Sequence, residues 1–197
     1  VGGGKSVIIG DPAKKNAELF FAFGEFLQHL GGRYIAAKDM NINSDDLLLV
    51  KEKTSHVLGI DGVRGSSGDP SPVTARGVIR AFEAVAEELG AHSLNGLRVA
   101  IQGIGHVGFA VAEHLKSKGA DLWVADLDKR ALDLAKAELG AEIVEGDAIY
   151  DLDVDVFSPN ARGAVLNQET ISRLKARAVV GAANNQLQTP QDGMRLF

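Results

Sequence analysis

Two stretches of this 197-residue sequence hold residue types that can do chemistry. The first twelve residues, "VGGGKSVIIGDP", set three glycines ahead of Lys5, and Asp39 follows the apolar run "RYIAAK". A lysine shielded from water can lose its proton near neutral pH and act as a base, and a neighbouring carboxylate can pass protons. Taken singly, Lys5 and Asp39 also fit two solvated surface charges. Further along, "VAIQGIGHVGFAVAEHLKSKGADLWVAD" places Gly103, Gly105 and Gly108 in G-x-G-x-x-G register, with Asp126 eighteen residues after the last of them.

That second stretch meets the conditions for a dinucleotide site. The glycines follow a strand pattern and open a helix whose apolar face is Val107, Val111 and Leu115, and Asp126 ends the next strand pattern. Glycine permits the tight turn, so a pyrophosphate can approach the backbone N–H groups of the loop residues Ile104, Gly105, His106 and Val107 at the helix N-terminus. Asp126 would accept hydrogen bonds from the ribose hydroxyls and repel a 2′-phosphate, which selects NAD over NADP; Lys129 and Arg130 are the nearest opposing charges. Two later strand patterns end in polar residues, at Ser158 to Asn160 with Ala161 beyond, and at Asn184 and Asn185. Beyond the carboxyl ends of strands they would face the nicotinamide half, or else they are ordinary Asn-rich turns.

The elements that must position these residues follow from periodicity. "SVIIG" and "RYIAAKD" read as strands, "AKKNAELFFAFGEFLQHLGG" as a helix and "NSDDLLLVKEK" as a shorter helix capped by Asn43 or Ser44. "GVRGSSGDPSP" interrupts all periodicity. It marks a linker over 62–72 between part of a substrate domain (1–61) and a nucleotide-binding domain (73–197). From Ser71 a helix carries Val78, Phe82, Val85 and Leu89 on one face; "LRVAIQ", "ADLWVAD", "AEIVE", "VDVFSP" and "AVVGAA" then alternate with helical segments. Such alternation predicts an α/β fold, a doubly wound parallel sheet of Rossmann type joined to part of a smaller α/β domain.

Composition narrows the function classes. With 26 acidic against 21 basic residues, a net charge of -5 and no basic cluster, nucleic acid is excluded as an expected partner. The absence of cysteine removes thiolate nucleophiles and zinc-thiolate sites, and the five histidines form no helical pair, so no metal is expected. No signal peptide or membrane-length apolar run is present, and a cytoplasmic protein without membrane partners is the default expectation.

In their order and spacing, "GGGKSVIIGDP", "GGRYIAAKDMN", "GSSGDPSPVTARGV", "IQGIGHVG", "FSPNARGAVLN" and "GAANNQL" resemble the glutamate/leucine/phenylalanine/valine dehydrogenase family, in its branched-chain and aromatic amino-acid branch. The resemblance implies reversible, NAD-dependent oxidative deamination of an apolar L-amino acid to a 2-oxo acid and ammonium, in a cleft between two domains of a homo-oligomer. Lys5 matches the family's catalytic lysine and Asp39 its proton-shuttling acid. Thr74 matches the hydroxyl that holds the carboxamide, and Asn184 the asparagine that contacts both cofactor and substrate. Gly4 would lie against the amino acid, and Ala37 would line its side-chain pocket. The family's carboxylate-binding lysine, last Rossmann strand and closing helices have no counterpart here, so the chain reads as a fragment. Asn160 and Arg162 stand where many relatives have a small and an apolar residue. A non-catalytic dinucleotide-binding module and a glutamate dehydrogenase are the competing readings.

Overall fold

The computed structural model describes residues 3–63, 66 and 68–196. Gly2 of the glycine loop and Arg64, Gly65 and Ser67 of the expected linker lie outside the described residues. The chain divides into two compact units, Val1–Pro70 and Ser71–Phe197.

The second unit is built on a five-stranded, all-parallel sheet. Its strands are β1 (Arg98–Gln102), β2 (Asp121–Ala125), β3 (Glu142–Ile143), β4 (Val156–Pro159) and β5 (Ala178–Val179), in the spatial order β3-β2-β1-β4-β5. Period-two alternation sends the residues of β1, β2 and β4 to two separate cores. Val99, Ile101, Leu122, Val124 and Val156 face one layer, made by α3 (Ser71–Glu88), α4 (His106–Ser117) and α5 (Lys129–Leu139). Ala100, Ala125 and Phe157 face the other, with Ile149 and Tyr150 of the 3₁₀ turn Gly146–Asp151 and Leu166, ahead of α6 (Gln168–Arg173). Both faces are covered, and the unit is the expected doubly wound α/β fold. In α3, Phe82 is fully buried against the sheet, a contribution of roughly 1.5–3 kcal/mol.

Local chemistry sets the ends of these elements. Gly119 stops α4 in the left-handed region (φ +87°), with its N–H on Lys116 and that of Ala120 on Leu115, so β2 begins two residues later. At the opposite end of the strands from the glycine loop, Arg98 forms a forked pair with Asp155 (Nη2 to Oδ1, 2.9 Å; Nε to Oδ2, 3.3 Å), locking the start of β1 to the start of β4. The Arg98 hydrogen bond holds the Asp155 carboxyl below the usual carboxylate range. A short last helix, α7 (Pro190–Arg195), completes the unit.

The first unit is helical. After a 3₁₀ turn at Pro12–Lys14, α1 (Ala17–His29) starts later than periodicity suggests, because Asn16 caps it by accepting from the Leu19 N–H (3.0 Å). In α2 (Ser44–Lys51) the cap is Asn43, in a reciprocal box with Asp46. The two helices cross where Gly24 meets Val50; an added Cβ at Gly24 would lie 2.7 Å from the Val50 carbonyl oxygen. Phe20, Leu27, Leu47 and Val50 form the core with Ala36, Val57 and Ile60.

Two expected strands are corrected here. "SVIIG" forms no strand, and of "RYIAAKD" only Ala36 pairs, in an isolated parallel bridge to Val57. A β-branched run becomes a strand only when another backbone takes up its N–H and C=O groups. No described segment does this for residues 6–10, and Val7 and Ile9 are 82% and 97% exposed. Among the described residues no helix is long and apolar enough to cross a membrane, and no group of three or more His, Asp or Glu side chains could hold a metal ion.

Candidate functional site

In the first unit Lys5 and Asp39, thirty-four residues apart, meet directly: Lys5 Nζ donates to Asp39 Oδ2. The other carboxylate oxygen, Oδ1, accepts from the Met40 N–H (2.8 Å), which fixes the orientation of the acid. Gly4 lies so close to Tyr34 that an added Cβ would sit 3.1 Å from the ring, and the aromatic edge thereby backs the glycine loop that presents Lys5. Both members stay open to solvent, with Lys5 71% and Asp39 48% exposed. Ala37 is exposed beside them in sequence, and an added Cβ at Gly59 would lie 3.9 Å from its methyl. Next to Asp39, Lys38 turns the other way into a half-buried pair with Asp69 (2.5 Å). Tyr34 and the Lys38–Asp69 pair had no sequence signal, because each depends on a partner distant in the chain.

In the second unit the glycines divide the work by position. An added Cβ at Gly108 would lie 2.0 Å from the Gly103 carbonyl oxygen, and one at Gly103 (φ +93°) 2.7 Å from Ala161. These two let α4 and the segment after β4 close onto the tip of β1. An added Cβ at Gly105 would instead meet nothing within 4 Å. Gly105 is also the N-cap of α4, and no side chain caps that helix. Its first-turn amides and the positive end of its dipole are suited to an anion. Ile104 is buried, whereas His106 is exposed and Val107 half-buried.

Asp126 stands at the end of β2 and reaches across to the glycine loop, where Oδ2 accepts from the Ile104 N–H (2.6 Å) and Oδ1 from the Asp128 N–H (2.9 Å). The carboxylate is thus oriented by two backbone N–H groups. Thr74 lies exposed in the first turn of α3, and Asn184 is exposed in the loop after β5. The Asn160 amide, half-buried, is taken up by protein groups at the ends of β4 and β5. Lys5, Asp39, Gly4 and Ala37 therefore lie in one unit, and Thr74, the glycine loop, Asp126, Asn160, Ala161 and Asn184 in the other.

A parallel sheet whose order reverses between β1 and β4, with an uncapped helix rising from a glycine loop at that point, defines a Rossmann-type α/β protein. Comparison with known proteins narrows this class. A profile of the family described as "Glutamate/Leucine/Phenylalanine/Valine dehydrogenase" matches residues 65–132. Leucine dehydrogenase of Thermoactinomyces intermedius is 50% identical, over 100% of this chain and 54% of that protein. Phenylalanine dehydrogenase of Lysinibacillus sphaericus is 47% identical, over 94% of this chain and 51% of that protein. The crystal structure of L-tryptophan dehydrogenase from Nostoc punctiforme superposes with a TM-score of 0.67 at 40% identity, covering 96% of this chain and 54% of that one. The chain spans about half the length of these relatives. It belongs to the glutamate/leucine/phenylalanine/valine dehydrogenase family.

Proposed function

We propose that the protein carrying this chain is an NAD-dependent amino-acid dehydrogenase, converting an apolar L-amino acid, water and NAD⁺ reversibly into the 2-oxo acid, ammonium, NADH and a proton. The observation that carries the reading is the direct Lys5–Asp39 pair, formed in a chain 50% identical to a leucine dehydrogenase. An ammonium and a carboxylate in direct contact can exchange a proton without an intervening water. Lys5 holds and deprotonates the water that attacks the substrate's imino carbon, and Asp39 takes up and returns the proton of the amino group. Gly4 leaves the backbone beside Lys5 free of side-chain bulk, and the small Ala37 leaves room for an apolar substrate side chain.

The second unit fits a dinucleotide. Open space over Gly105 and the uncapped start of α4 suit the pyrophosphate, and the preset Asp126 carboxylate suits a ribose diol and opposes a 2′-phosphate. When bound, the nicotinamide accepts the hydride from the substrate Cα. Thr74, Ala161 and Asn184 are the residues proposed to orient that ring.

The reading is tested with the full-length protein by following NADH formation with leucine, valine, phenylalanine, tryptophan and glutamate. Lys5→Ala is expected to reduce turnover by the ~10²–10⁴-fold of a lost general base, with the NAD dissociation constant unchanged. NAD binding without reduction by any amino acid would replace this reading with a non-catalytic binding module. Preference for glutamate would overturn the apolar-substrate assignment.

A further inference from the structure

Four groups converge on one residue at the switch point of the sheet, three of them on its side chain. Asn160 follows β4, and its own N–H donates to the Gln102 carbonyl at the end of β1 (2.7 Å). Its side-chain Nδ2 donates to the Ser158 carbonyl (3.1 Å) and to Ser158 Oγ (2.9 Å), and its Oδ1 accepts from the Ala182 N–H beyond β5 (2.9 Å). A flipped amide would set its oxygen against the Ser158 oxygens and its NH₂ against an N–H, so this pattern admits one orientation. Both Nδ2 donors are used and Ser158 is wholly buried, so the amide cannot turn to a ligand without abandoning these partners.

What Asn160 holds is the approach of two loops. An added Cβ at Gly181 would lie 2.1 Å from the Pro159 carbonyl oxygen, and the Ala183 N–H donates to that same oxygen (3.0 Å). Further out the two loops zip together: Ala164 N–H to the Asn185 carbonyl (2.7 Å), Leu166 N–H to Gln186 (2.9 Å) and Gln188 N–H to Leu166 (2.9 Å). Ala164 and Asn185, the two residues joined by the first of these bonds, both sit in the left-handed region (φ +58° and +49°). Strained conformations of this kind persist only where the surroundings over-determine them. Asn184 lies between the clamped residues 182–183 and strained Asn185.

We infer that Asn160 is a positioning residue: its amide, bonded to Ser158 and Ala182, sets the loop that presents Asn184, and it does not itself contact the dinucleotide. The role of Asn184 rests on the function proposed above; the clamp does not. Amide hydrogen exchange in the ligand-free, full-length protein tests the clamp alone. The Ala182 N–H is expected to exchange about tenfold faster in Asn160→Ala, as loss of one hydrogen bond implies, and to a smaller degree in Ser158→Ala, with Ile101 in β1 unchanged. Unchanged exchange at Ala182 overturns the inference, and Ser158→Ala carries this arm should Asn160→Ala not fold. Steady-state kinetics test the consequence. Asn160→Ala should impair the same parameter as Asn184→Ala, by a lowered kcat or a raised KM, and the double variant should lose no more than the worse single one. Multiplying losses would mean that Asn160 acts on the ligand directly. A wild-type protein that neither binds NAD nor oxidises an amino acid would end the proposed function and leave the exchange result to decide the clamp.

Discussion

Alanine at Gly105, the N-cap of α4, and alanine at Gly108, in its first turn, are three residues apart and should fail in opposite ways. Gly105 has φ -69° and ψ -164°, ordinary extended backbone, and an added Cβ meets nothing within 4 Å. The roughly 0.5–1 kcal/mol lost at the N-cap is largely offset by the roughly 0.4–1 kcal/mol gained through a less flexible unfolded chain. Stability should stay within about 1 kcal/mol of wild type. The methyl nevertheless projects into the space that the proposed function assigns to a pyrophosphate over the α4 amides, and on that reading NAD affinity should fall by at least about tenfold, or 1.4 kcal/mol. At Gly108 the new Cβ lies 2.0 Å from the Gly103 oxygen and 3.0 Å from its carbon, both backbone atoms that cannot rotate aside. The helix must retreat, at the roughly 1–3 kcal/mol of an overpacked interior or more. Thermal unfolding and NAD titration of the two variants in the full-length protein decide the matter. Wild-type NAD affinity in Gly105→Ala, or a wild-type Tm in Gly108→Ala, would refute the division of roles.

Other expectations follow from single contacts. Asp126→Asn keeps an oxygen for the Ile104 N–H, gives up the bond from the Asp128 N–H and removes the charge, so the NAD-to-NADP ratio of kcat/KM should drop by about 1–3 kcal/mol; an unchanged ratio would show that the charge does not select the cofactor. Asp39→Asn should cost turnover as heavily as Lys5→Ala, and the double variant far less than the product, which a double-mutant cycle measures directly. Gly24→Ala gains about 1 kcal/mol of helix propensity, but its Cβ meets the Val50 oxygen at 2.7 Å, and a lowered Tm is expected because that contact is backbone. The Asp155 carboxyl is held low by Arg98, so its stabilisation is complete above the unfolded value of about 3.9 and is lost as pH falls through the lower folded value. The stability gap between wild type and Asp155→Asn, followed by urea titration, should therefore be constant near neutrality and close on acidification below about pH 4.

The Rossmann-type unit was legible in the order of residues because its signals are local. Strand, glycine turn, helix and Asp126 follow one another without interruption, and the alternation of Val99, Ala100 and Ile101 already assigns a residue to each face of the sheet. A backbone turn, a helical face and a strand pattern each involve neighbours a few residues apart, and no distant partner is needed to select them. Family membership was legible for a related reason, since six ordered motifs survive as short runs.

Tertiary structure decided what depends on a partner far along the chain. The β-branched run at residues 6–10 and the run at 33–39 look like strands, yet only Ala36 finds a backbone to pair with, because strand propensity reports fitness for a sheet and cannot supply its neighbour. Lys5 and Asp39 read equally as surface charges until the fold brings thirty-four residues of separation down to a direct contact. Asn160 reads as a ligand-facing residue or a turn from its position after β4. Its amide has two donors and an acceptor that could serve either; Ser158 takes the donors locally, and the segment beyond β5, with Gly181 against Pro159 and the Ala182 N–H on Oδ1, takes the acceptor. The direction of a short polar side chain is set by whichever partners satisfy it, and those partners belong to the fold.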